Sequence, residues 1–150
     1  MNKVMSLVRI CLGFIFLWAF ADKLFGLGFA TTSAKAWING GSPTYGFLSF
    51  GTKGPFAEIF KMLAGNNLVD VLFMAGLLFV GVTLIFNFWV KWGSVAGLSM
   101  LVLMYLAALP PENNPVLDDH IIYALVFAYF IASHKRALPQ PTTQVYEKRV

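Results

Sequence analysis

Between Tyr105 and Tyr123 the chain reads YLAALPPENNPVLDDHIIY, which gathers Glu112, Asp118, Asp119 and His120 into one stretch without a Lys or Arg. An imidazole beside carboxylates can move protons near neutral pH, because small changes in surroundings turn it from donor to acceptor and an acid can orient it. His120 is therefore the expected proton carrier, and Asp119 and Glu112 are the acids expected to serve it as the catalytic set. Asp118 reads as the N-cap of the helix that follows, which puts Asp119 and His120 in its first turn and Tyr123 one turn beyond Asp119. The amides of Asn113 and Asn114 and the phenols of Tyr105 and Tyr123 are the neighbouring groups able to bind a substrate. Pro110, Pro111 and Pro115 remove backbone donors and predict a short, stiff connector. Glu112, Asp119 and His120 have only the generic spacing of a two-carboxylate, one-imidazole set, so no metal is assigned.

The elements that hold this stretch are apolar. Of 150 residues, 58% are hydrophobic and 12% charged, against about 25% charged in an ordinary soluble domain. Charge-free runs extend from Val71 to Val90 (20 residues) and from Trp92 to Leu109 (18 residues), each near the ~20 residues a helix needs to cross a bilayer. Val4 to Ala21 carries Arg9 alone, and Ile121 to Ser133 carries no charge. The expectation is an all-α integral membrane protein: a four-transmembrane-helix bundle over residues 1–134, a long structured outer loop between helices 1 and 2, and a polar cytoplasmic tail over 135–150. The first span also fits a signal peptide ending at Ala19-Phe20-Ala21, and its retention is the expectation. Cys11 lies inside it, has no partner for an intrachain disulfide, and reads as a small apolar packing residue.

Placing the N-terminus in the cytoplasm leaves seven basic residues and one acid inside, and four basic residues and six acids outside. That asymmetry predicts a cell-membrane protein with both termini cytoplasmic and the 105–123 stretch facing outward. The basic excess is thus a topology signal and not a nucleic-acid patch. At the same outer level Asp22 and Lys23 end the first span; Lys23 either snorkels to headgroups or turns inward toward the carboxylates of 112–120. Residues 22–70 form an unusually long connection. Within it Ser33 to Ile38 predicts a short helix stopped by Gly40 and Gly41, and Pro55 opens a second one with Phe56, Ile59, Phe60 and Leu63 on one face. Lys91 alone separates the second and third spans, which predicts a tight antiparallel hairpin whose Gly93-x-x-x-Gly97 serves close packing.

Pro111-Glu112-Asn113-Asn114-Pro115 followed by Leu117-Asp118-Asp119-His120, with Asp22-Lys23-Leu24-Phe25-Gly26 and Gly40-Gly41-Ser42-Pro43-Thr44, resembles the DoxD/DoxX family, over nearly the whole chain up to about His134. The resemblance implies a four-helix membrane protein similar to the DoxD subunit of thiosulfate:quinone oxidoreductase, which oxidises thiosulfate to tetrathionate and reduces a membrane quinone. On that reading the quinone is the electron acceptor, no cofactor is covalently bound, and His120 with Asp119 exchanges protons with the quinone headgroup. Tyr123 or Tyr105 then contacts its carbonyl or ring, and Lys23, beside Asp22, balances an anionic substrate. The partners implied are the lipid bilayer, the quinone, a DoxA-like subunit and a second copy of the chain in a homo-oligomer. No CxxCH haem motif, cysteine cluster or dinucleotide fingerprint is present, so electrons must pass directly to quinone or through a partner. The competing class is a non-catalytic membrane scaffold or small-molecule-binding module that recruits a partner.

Overall fold

The structure is a computed structural model that describes residues 3–112, 114 and 116–135. Asn113 and the tail beyond 135 lie outside the described residues. All regular elements among them are helical. Helix α1 (Lys3–Phe25) leads through 3-10 turns at Ser33–Lys35, Trp37–Asn39 and Gly54–Phe56, a π-helical turn at Phe47–Gly51, and a short α2 (Ala57–Lys61) to α3 (Asn67–Phe86). Helices α4 (Val90–Ala107) and α5 (Asp119–Lys135) complete the order.

Helices α1, α3 and α4 are long and apolar enough to cross a membrane. Helix α5 has 17 residues, about 25 Å at 1.5 Å per residue, against the ~30 Å of a bilayer core. Among the described residues its apolar part is Asp119–Ser133. Helix α1 packs on α3, α3 on α4 and α4 on α5. The core between them is Leu12 and Phe16, Met74, Leu77, Val80 and Leu84, Leu101, and Phe127 and Phe130. Phe16 meets Phe127 edge-on at 5.5 Å between centroids, so the first and last helices touch through the centre. Side chains of this size contribute roughly 1.5–3 kcal/mol each when taken out of water, but toward lipid that drive is absent and close packing replaces it. A Cβ at Gly97 would collide with the Phe127 ring, and one at Gly93 with the Thr83 hydroxyl, so the two glycines let α4 approach α5 and α3.

The helix ends follow from local chemistry. Gly26 has φ 67° and its amide bonds back to the Asp22 carbonyl at 2.7 Å, stopping α1. A Cβ on Gly26 would run into the backbone of Ser33. Asn66 caps α3, its side-chain oxygen accepting the Leu68 amide at 2.9 Å. The hairpin between α3 and α4 has only three residues, with Asn87 (φ 59°) and Trp89 (φ 48°) both left-handed. Arg9, read from the sequence as a flanking charge, is 6% exposed. Its Nη1 reaches the Ile85 carbonyl at 3.4 Å in the last turn of α3, where the helix dipole favours a cation.

The long connection is tied down at several points. Asp70, buried in the first turn of α3, accepts from the Ser42 hydroxyl at 2.9 Å, the Thr44 hydroxyl at 2.5 Å and the Thr44 amide at 3.2 Å, all on Oδ1. At its other side the Lys53 amide donates to the Ala107 carbonyl at 2.8 Å. Gly54 (φ 69°) lies so close to the Leu109 carbonyl that no side chain would fit there. The segment from Pro43 to Leu63 therefore roofs one end of the bundle.

Candidate functional site

The stretch between α4 and α5 forms a cavity of about 350 Å³ with the roofing segment, lined by Gly51, Lys53, Pro111, Glu112, Asp118, Asp119 and His120 among others. Asp118 caps α5, its Oδ1 accepting the Ile121 amide at 3.2 Å. Its other oxygen, Oδ2, accepts from His120 Nδ1 at 2.7 Å, with both side chains about three-quarters buried. The carboxylate that fixes the imidazole is thus Asp118, and not Asp119 or Glu112 as the order of the sequence suggests. With Nδ1–H held by Asp118, Nε2 is left to exchange a proton.

The other expected acids stand apart from the imidazole. Asp119 is exposed in the first turn of α5, on the cavity rim, where a negative charge favours the helix N-terminus. Glu112 is exposed and ion-paired with Lys53. The Lys53 hydrogen bond, and then its charge, hold the Glu112 carboxyl below the ordinary glutamate range.

The expected substrate-binding residues divide between scaffolding and a different cavity. Asn114 folds the connector, its side-chain oxygen accepting the amides of Val116 at 3.0 Å and Leu117 at 2.9 Å. Tyr105 ties α4 to that connector, its hydroxyl donating to the Val116 carbonyl at 2.6 Å. Tyr123 packs against the core. Asp22 is 2% exposed and accepts the amides of Phe29 at 3.2 Å and Ala30 at 2.9 Å, so it folds the chain leaving α1. Lys23 borders a second cavity of about 490 Å³, otherwise lined by uncharged and mostly apolar residues including Phe47, Phe60, Phe73, Met100 and Leu103. Neither Asp22 nor Lys23 lines the cavity of His120.

Lys53 and Gly51 are the residues that sequence reasoning missed. Lys53 lies 59 positions before Glu112, and no local pattern announces the pairing. The only signal available was the placement of Lys53 among glycines in the long connection, at the same predicted membrane level as Glu112. Asp118 as the partner of His120 could have been found, since an N-cap carboxylate two residues before an imidazole has a second oxygen to spare.

Family models, curated proteins and solved structures gave no match to this chain. Among the described residues no group of three His, Cys, Asp or Glu side chains is arranged to hold a metal ion. The two cavities draw on the same two stretches of chain. Gly51 and Ala108 line the polar one, while Phe47, Leu48 and Ala107 line the apolar one, so the π-helical turn and the end of α4 form their common wall. π-Turns of this kind often mark functional sites.

Proposed function

We propose that the chain is a membrane oxidoreductase subunit, similar to the thiosulfate:quinone type, in which the His120 cavity handles the protons of quinone reduction. The observation that carries the reading is the Asp118–His120 pair at 2.7 Å, at the head of a bundle helix and in a cavity with an exposed acidic rim. A quinone that accepts two electrons must also take up two protons, and an oriented imidazole with a free Nε2 is suited to deliver them from outside water. Asp118 holds the ring in place for that transfer. Asp119 and Glu112 keep the rim negative, which draws protons and leaves a neutral headgroup unopposed.

The same charge argues against thiosulfate binding at this spot. Three carboxylates face one lysine and one imidazole around the cavity, and a dianion entering it meets net repulsion. The sulfur chemistry, in which two thiosulfates join through a new S–S bond and release two electrons, is therefore assigned to a DoxA-like partner or to its contact with this chain. The reading includes α5 as the fourth span, both termini in the cytoplasm of a cell-membrane protein, and the roofed end of the bundle outside. The buried Phe127 and Phe130 on α5 support its place in the bundle. A homo-oligomer is compatible with this arrangement.

Proteoliposomes carrying the chain, with and without candidate partners, are the test. Thiosulfate-dependent quinone reduction should appear when the partner is present and should fall about 10²- to 10⁴-fold in His120→Ala, the usual size of a general acid–base contribution. Wild-type turnover in His120→Ala would remove the site. The alternative of a non-catalytic small-molecule-binding module is favoured by the second cavity, which has a shape and lining for a ligand but no acid–base pair.

A further inference from the structure

We infer that the second cavity is a binding site for a long-chain carboxylate drawn from the membrane, with its anionic head at Lys23 and its chain along Phe73, Met100 and Leu103. Its volume of about 490 Å³ falls in the range of small-molecule sites, roughly 300–1,000 Å³. Three observations specify the ligand.

The first is a charge without a contact ion pair. Lys23 lies at the end of α1 and is the one ionisable side chain among the cavity's lining residues. The charge of its neighbour Asp22 offsets part of this charge through space, but both Asp22 oxygens take backbone amides of Phe29 and Ala30. Among the described residues no carboxylate lies within ion-pairing distance of Lys23 Nζ, which instead sits 5.9 Å from the centroid of the Phe73 ring. An ammonium against apolar walls is costly unless a partner shares its charge. A neutral headgroup leaves that cost in place, whereas a carboxylate offsets part of it.

The second is the route of entry. Leu72 and Leu103 line the cavity and are also exposed on the outer faces of α3 and α4, two of the helices long enough to cross the bilayer. The mouth therefore opens between those helices toward lipid, and the ligand must be one that partitions there.

The third is the lining. Met100 and Met104 sit along the α4 side, and unbranched thioether side chains adapt to a flexible chain better than to a rigid ring. Pro43, Thr44 and Phe47 of the roofing segment close the end nearest water.

The experiment uses the full chain in nanodiscs with a photoreactive palmitate analogue bearing a diazirine on its chain, and maps the labelled peptides. Labelling is expected on residues 60–73 and 100–107. The methyl ester of the same probe should label about tenfold less or worse, as should the acid on Lys23→Met, while Lys23→Arg should retain labelling. Leu103→Trp, which fills the mouth without touching the charge, should also block it. Equal labelling by the ester, or undiminished labelling of a folded Lys23→Met, would overturn the proposal. So would competition by an anionic phospholipid as effective as that by free palmitate, since the site would then be selecting a two-chain lipid. The assay reads binding alone, so its outcome is independent of the quinone reading.

Discussion

Asp118 makes two bonds with two oxygens, and substitution can separate them. Asp118→Asn keeps a side-chain oxygen for the Ile121 amide, so helix capping should change by only a few tenths of a kcal/mol, whereas Asp118→Ala should cost about 0.5–2 kcal/mol. At His120 the order of effects differs. A carboxylate only accepts, and so selects the imidazole tautomer with hydrogen on Nδ1; an asparagine amide can donate to Nδ1 and move the hydrogen to Nε2. The bond lost is of the charge-assisted kind, about 1.5–3 kcal/mol when well made, and at 2.7 Å with both side chains about three-quarters buried it belongs in the lower half of that range. A preference of about 1.4 kcal/mol is tenfold in tautomer population. Histidine ring NMR on selectively labelled protein reads that population directly, and the chain's two histidines are separated by substituting His134. The expected result is an Nδ1–H form in the native chain, retained in Asp119→Asn and lost in Asp118→Asn, with proton-coupled activity lost in the same variant. An Nε2–H form in the native chain, or a change in Asp119→Asn alone, would refute the assignment of Asp118.

Asp22→Ala should free the amides of Phe29 and Ala30, which lie on exposed residues, and, at about 0.5–1.5 kcal/mol net for each bond lost, lower thermal stability without touching the His120 cavity; detergent unfolding curves measure it. The Lys53–Glu112 pair should help hold the roofing segment above the ordinary glutamate range and cease to do so as pH falls through the lowered Glu112 value. Protection of the amides at residues 47–54, taken relative to their intrinsic exchange rates, should fall with that acidification, and Glu112→Gln should flatten the profile. Cysteines placed at positions 113 and 142 in a Cys11→Ser background should be labelled in intact cells by an impermeant reagent at 113 and not at 142; the opposite pattern would invert the orientation.

What could be read from the sequence was set by local spacing. The apolar runs fix where α1, α3 and α4 lie, and Lys91 between two of them forces the tight hairpin. Asp118 before an apolar run announces a cap, and Gly93-x-x-x-Gly97 announces close packing, borne out by Thr83 and Phe127 against it. The limits of such reading are equally physical. Helix α5 is announced by its cap at Asp118, but its described part, Asp119–Lys135, has a shorter apolar run than α1, α3 and α4, since its first turn carries Asp119 and His120. Asp22 and Lys23 are adjacent in sequence but point to different tasks, since helix neighbours project about 100° apart. Asp70 and Lys53 matter through partners 26 and 59 residues away, and pairings at that range leave no periodic trace.

The π-helical turn Phe47–Gly51 has cavities on both of its sides. Were the turn to shift when a molecule entered from the lipid side, the room around His120 would change with it, and a molecule seated at His120 would change the fit at Lys23. Whatever factor the first ligand imposes on the affinity of the second, the second imposes on the first. A bilayer's content of free acyl anions would then act as a setting on proton handling at the water face, transmitted through five residues.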